Sequence, residues 1–222
     1  GNALSLRTSR KRVPGYYFGN TGLLFKMEKR ISIYIDGANF VYGLKSLNPK
    51  YSDYHIDFKN FIKRVIGKNK LIDIFYYNAS LKQEINPRRF KEQQKLIARL
   101  RKIPKCKVIL CKRQKRFNKA DEEYYTIKGD DINLALDMLN DAWENKYDCA
   151  VLISGDGDFA PLLRYVRSKN KEVEVISFEK IASKNLINEV NRYTFINKKI
   201  ANRFFWRESL KKSSKISNNN KS

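Results

Sequence analysis

Residues 149–163 read C-A-V-L-I-S-G-D-G-D-F-A-P-L-L, and residues 31–40 read I-S-I-Y-I-D-G-A-N-F. In both, a short apolar run enters a turn holding glycine and aspartate, and a helical pattern begins just beyond it. Such a run, bounded by turn residues, is a buried strand. The alternation continues in both directions. Strands are expected at 71–77, 108–111, 173–178 and, more briefly, 193–196. Helical spacing starts near Phe40 and recurs at 55–66, 86–102, 131–144, 159–168 and 183–190. Asn86-Pro87 supplies a start signal for the helix at 86–102, which turns Phe90, Ile97 and Leu100 inward. Residues 112–127 form a polar excursion with the pattern of a hairpin. Strands alternating with helices imply an α/β fold: a three-layer α/β/α domain with a mainly parallel central sheet.

The 222 residues are 42% hydrophobic and 13% aromatic, enough to bury a core, which excludes a wholly disordered chain. No stretch approaches the roughly 20 apolar residues of a membrane span, so no membrane partner is expected. Lys and Arg number 46 against 23 Asp and Glu, a formal charge of +23. A polyanion is the expected partner, nucleic acid before membrane surface. The charge is segregated: residues 82–119 carry fifteen basic and two acidic groups, whereas 120–180 carry seven and fourteen. Cys106, Cys111 and Cys149 are odd in number and lack metal-type spacing. They read as structural thiols in a reducing, cytoplasmic setting. His55 is the one histidine, which excludes chemistry built on several imidazoles. Neither a phosphate-binding G-x-x-x-x-G-K-[ST] loop nor a G-x-S-x-G elbow is present.

In open parallel sheets, ligands bind beyond the C-terminal ends of the strands, where the strand order reverses. Three acidic turns fall at that edge: Asp36-Gly37-Ala38-Asn39, Ser154-Gly155-Asp156-Gly157-Asp158, and Lys128-Gly129-Asp130-Asp131. Any one aspartate here could be only a helix N-cap. Three such turns on one edge exceed what capping requires. Converging carboxylates repel, and a hard divalent cation relieves them. A Mg²⁺ or Mn²⁺ site is therefore expected.

Y-I-D-G-A-N-F (34–40), K-G-D-D-I-N-L-A-L-D-M-L (128–139) and L-I-S-G-D-G-D-F-A-P-L-L (152–163) together resemble the NYN domain family, LabA-like branch, within the PIN-like ribonuclease superfamily. The resemblance spans roughly residues 29–180. It implies a metal-dependent ribonuclease that hydrolyses phosphodiester bonds, with RNA as partner. Asp36, Asp131, Asp156 and Asp158 match the family's metal carboxylates, and Asn39 matches a supporting catalytic position. Asp130 stands where the family usually has an apolar residue. Asp131 is taken as the ligand of that pair, and Asp137 as a supporting residue. Lys128 either meets a substrate phosphate or is a solvated lysine.

Basic residues supply the expected RNA surface: Arg88 and Arg89 on one helix, with Lys95, Arg99, Arg101 and Lys102 further along, and Arg113, Lys115 and Arg116 after the third strand. Phe117, Tyr124 and Tyr125 offer either stacking faces or hairpin packing. A non-catalytic RNA-binding module and a DNA substrate stand as alternatives. The domain is drawn over 29–197, between an N-terminal extension (1–28), with Met27 near a natural start, and a basic C-terminal helix and disordered tail (198–222). Phe204, Phe205 and Trp206 could bind RNA, dock on the domain or support a homodimer.

Overall fold

Alternation along one central strand divides the interior in two. Within Arg30–Asp36, Ile31, Ile33 and Ile35 enter one apolar cluster and Tyr34 enters another. This is the period-two behaviour of a strand covered on both faces. The structure, a computed structural model, describes residues 16–18, 24–26, 28–117, 123–127 and 129–205, with side chains over 28–112 and 129–205.

In chain order the elements are β1 (Tyr16–Phe18), β2 (Leu24–Lys26), β3 (Arg30–Asp36), α1 (Gly37–Leu47), α2 (Phe58–Ile66), β4 (Lys70–Ala79), α3 (Pro87–Leu100), β5 (Cys106–Cys111), β6 (Arg113–Phe117), β7 (Glu123–Ile127), α4 (Asp130–Trp143), β8 (Cys149–Ile153), α5 (Ala160–Ser168), β9 (Glu172–Phe178), α6 (Lys184–Ile187), β10 (Arg192–Ile196) and α7 (Lys198–Asn202). Six strands form one sheet in the order β10-β9-β8-β3-β4-β5, and every neighbouring pair in it is parallel. β1 pairs antiparallel with β2, and β6 with β7, the latter giving the expected hairpin. The sheet is wound outward in both directions from β3 and β8, and strand order reverses between them. Residues of α1, α2 and α3 join the first cluster. Those of α4, α5 and α6 join the second, which completes the three layers.

Local chemistry moves several element limits. Asp36 accepts a hydrogen bond from the Asn39 N–H at 2.9 Å, so α1 begins at Gly37 rather than near Phe40. Asp57 caps α2 in the same way, so that helix starts at Phe58 and leaves Asp53–His55 as a separate 3-10 turn. The helix expected over 183–190 is reduced to Lys184–Ile187. In α3 the buried positions are Gln93, Leu96, Ile97 and Leu100. Phe90, expected inside, is only half-buried. Gln93 is buried because its amide donates to the Ala79 carbonyl (2.7 Å) and accepts from the Leu81 N–H (2.9 Å).

Residues 198–205 also belong to this body. The Asp57 N–H donates to the Phe204 carbonyl, and Ile56 forms an antiparallel bridge with Phe205. The Phe204 ring meets Phe61 at 5.0 Å, and the Phe205 ring meets Tyr51 at 4.5 Å. Both side chains therefore lie in the first cluster, packed on the domain. Trp206 lies outside the described residues.

α1 lies close on β9 because Gly43 has no side chain. A Cβ there would stand 1.9 Å from Cδ2 of Phe178, itself fully buried. Gly43→Ala should therefore cost on the order of 2–3 kcal/mol by overpacking. A lowered urea midpoint would show it, with part of the loss recovered when Phe178→Leu is added.

Candidate active site

Of the described helices all but α2 begin at the C-terminal edge of the parallel sheet, because each follows one of its strands, directly or through a short connection or the β6–β7 hairpin. The three acidic turns thus share one edge. Asp36 ends β3, Asp130 and Asp131 open α4, and Asp156 and Asp158 follow β8.

Hydrogen bonds lock the two central turns together. The Ser154 hydroxyl donates to Asp36 Oδ2 at 3.0 Å, and Asn39 Oδ1 accepts the Gly155 N–H at 2.8 Å. Ser154 Oγ also accepts the Asp156 N–H at 3.1 Å, and Asp156 Oδ1 accepts the Asp158 N–H at 3.0 Å. Asn39 therefore supports the site by holding the neighbouring loop. Ser154, which sequence reasoning gave no role, is 2% exposed and touches both turns. Its place in the S-G-D-G-D string was the available signal, but a serine there has the composition of any turn.

The electrostatics are those of crowded acids. Burial pushes the Asp36 carboxyl up to about 6; bonds from Asn39 and Ser154 oppose that rise, and the charges of Asp131 and Asp130 add to it. Asp131 is also pushed up to about 6, by burial first and then by Asp130, Asp156 and Asp158. The repulsion between Asp131 and the acids after β8 links the start of α4 to that turn. Among the described residues, no Lys or Arg forms an ion pair with any of the five carboxylates. Nor are three or more acidic, thiol or imidazole groups gathered into a formed metal cage. Asp131 thus lies in the field of Asp36, Asp130, Asp156 and Asp158, and the hard oxygen donors of these groups are of the kind that suits Mg²⁺ or Mn²⁺.

Asp137 is turned to a different partner, accepting from the Tyr77 hydroxyl at 2.7 Å. One turn on, buried Asp141 accepts from Tyr34 (2.7 Å) and from Lys146 (2.8 Å). These bonds fix α4 against β3 and β4, and so fix where Asp131 stands. The Tyr34–Asp141 pair was not found from sequence, because nothing local couples residues 107 apart.

Arg88 and Arg89 are exposed at the first turn of α3, on the edge that carries the acids; Arg88 makes an i,i+4 pair with Glu92 at 3.4 Å. Arg99 stands at the far end of that helix and donates to the Tyr54 carbonyl at 2.6 Å, apart from that edge. Arg101 and Lys102 follow the helix. Arg113, Lys115 and Arg116 have backbone places in β6, but their side chains lie outside the described residues, as do those of Phe117, Tyr124 and Tyr125. Lys128 lies outside them too. All three cysteines are free thiols, two of them buried. Among the described residues, no helix is long and apolar enough to cross a membrane.

A family model described as NYN domain matches residues 30–197. The chain belongs to the NYN domain family. It is 27% identical over 170 residues to the low amplitude and bright protein LabA of Synechococcus elongatus, covering 76% of this chain and 84% of that one, which supports the LabA-like assignment. It is also similar to the crystal structure of a protein of unknown function, VPA0982, from Vibrio parahaemolyticus. That match has a TM-score of 0.61 at 22% identity over 81% of this chain and 97% of the other, and shows the shared fold. This NYN domain is thus a PIN-like, nuclease-related three-layer fold.

Asp36 yields a pH test. Its folded-state value lies above 3.8, so the native chain holds the proton more tightly than the unfolded chain does. Its contribution to stability is full below about 4 and is lost as pH rises through about 6. That rise corresponds to on the order of 3 kcal/mol held against the ionised carboxylate. In metal-free protein, Asp36→Asn should raise the melting temperature at pH 7.5 and give almost no gain at pH 4.5; calorimetry at both values checks this.

Proposed function

We propose that this NYN domain is a Mg²⁺- or Mn²⁺-dependent ribonuclease that cuts RNA internally. The observation that supports the reading is that three separate elements bring Asp36, Asp131, Asp156 and Asp158 to one sheet edge, with Asp131 in the field of the other three, in an otherwise basic chain. Capping does not require Asp131 to face two other acids, and unrelieved repulsion would be a standing cost.

In this reading the four aspartates would hold one or two divalent ions, which supply an acidified water and stabilise charge on the phosphorus. The chain's own groups do the rest. Ser154 and Asn39 hold Asp36 and the Gly155 turn rigid, so the carboxylates need not reorganise as substrate arrives. Arg88 and Arg89 would meet backbone phosphates at the same edge, and Arg113, Lys115, Arg116 and Lys128 are proposed from the sequence as further phosphate partners. No protein base is called for in this reading, and the chain has a single histidine, His55.

End-labelled single-stranded RNA and its DNA counterpart, incubated with Mn²⁺, Mg²⁺ or excess EDTA, test the reading. Metal-dependent internal cuts in RNA are expected. Asp156→Asn should reduce the rate by at least about a hundredfold while RNA binding holds or tightens, because a charge that repels phosphate is gone. Salt-sensitive RNA retention without cleavage by the unmutated protein would favour a binding module instead.

Arg88→Glu with Arg89→Glu should weaken RNA binding and flatten its salt dependence. The expected change is about 0.7 in the slope of log K against log salt for each single-strand phosphate that is no longer neutralised. A titration series between low and moderate salt measures this, and an unchanged slope would remove α3 from the RNA surface.

A further inference from the structure

Beside the carboxylates lies a cavity of about 500 Å³ lined by Gly157, Asp158, Pro161, Arg164, Asn185 and Asn188. Its size falls within the roughly 300–1,000 Å³ typical of small-molecule sites. One wall is the start of α5 and the other is α6. The walls are tied together at two places. The Ser183 N–H donates to the Gly155 carbonyl at 3.1 Å, and Arg164 Nη1 lies 2.9 Å from Glu189 Oε1. The approach at Gly157 is close: a Cβ there would stand 2.5 Å from Ser183 Oγ. Buried Leu186 anchors α6 from below, so its polar side chains project from a fixed support.

The charge of this groove selects its occupant. Arg164 is neutralised by Glu189, and Asp158 adds a negative charge, so the lining offers no uncommitted cation to a phosphate. It does offer two carboxamides. Among the described residues, the side-chain amides of Asn185 and Asn188 have no hydrogen-bond partner, although both residues' backbones are engaged. Each carries a donor pair and an acceptor, which match the edge of a nucleobase. Ala160 and Pro161 add apolar surface for the base plane.

We propose that this groove seats one unpaired nucleobase of the RNA strand, next to the phosphate at the metal that Asp158 would hold, and that Asn185 and Asn188 read its edge. Carboxamides pair in bidentate fashion with adenine, so adenine is the base favoured here. The phosphate's position rests on the nuclease reading; recognition of the base does not require cleavage.

The test uses binding first. Asp156→Asn protein is titrated in Mg²⁺ with short labelled single strands of adenosine, cytidine or uridine, and with an abasic ribose-phosphate strand. The adenosine strand should bind about tenfold more tightly than the abasic one. Adding Asn185→Ala and Asn188→Ala should bring every strand to the abasic affinity. Both side chains are exposed, so matched melting temperatures should show that this variant folds. Equal binding of all strands by the parent protein, or discrimination that survives the double substitution, would overturn the subsite. In cleavage assays the same pair of substitutions, made with Asp156 intact, should erase a preference for cutting beside adenosine. Absence of cleavage by every protein would instead defeat the nuclease reading, and the binding series would still decide the subsite.

Discussion

The short hydrogen-bonded bridge between the ends of β3 and β8 is the constraint on which the site depends. Neighbouring parallel strands that send their helices to opposite faces leave a crevice between their loops. Here Ser154 donates to Asp36 across that crevice, and Asn39 takes the Gly155 N–H in return. Each bond joins residues more than a hundred positions apart. Asp36 accepts from the Ser154 hydroxyl of that bridge and from the Asn39 N–H of its own turn, and these two donors let a carboxylate remain at a site only 6% exposed. A buried acid without such partners would be far more costly.

A second constraint is the placement of α4. Its apolar face, with Leu134, Met138 and Ala142, buries against the sheet, but an apolar stripe alone allows rotation and sliding. Tyr77 to Asp137 and Tyr34 to Asp141 remove that freedom, because polar pairs between fully or partly buried groups have one good geometry. Asp131 is thereby brought opposite the turn after β8. In the proposed function the basic Arg88 and Arg89 would draw a polyanion to this edge, while the acids beside them would repel it. The cation proposed for this edge would reconcile the two fields.

Much of the architecture was legible because it is local and periodic. The apolar runs at 31–35 and 149–153 are strands, and the Asp-Gly turns after them do open helices. Where the reading slipped, a local competitor was responsible. Asp36 and Asp57 cap their helices, and that sets the first residue of each. In β4 an irregularity shifts pairing from Ile31–Leu71 to Ile33–Ile74. Leu71 and Ile74 consequently share a face, although strict alternation would separate them. No periodic pattern reveals that extra residue. The same limit applied to the buried Tyr76–Asp53 bond at 2.6 Å, which joins a strand to a 3-10 turn.

The amino-acid sequence by itself determined which residue types stand at the ends of the strands, the segregation of charge and the NYN family pattern, because these are properties of neighbours along the chain. Only the tertiary structure decided that Asp131 shares a field with Asp156 and Asp158, that Asp137 belongs to Tyr77, and that Arg99 is tied to a backbone carbonyl away from the basic edge. It also assigned Phe204 and Phe205 to the core and opened a neutralised groove beside Asp158. These outcomes depend on distances between segments remote in sequence, and those distances are fixed only when both faces of the sheet are packed.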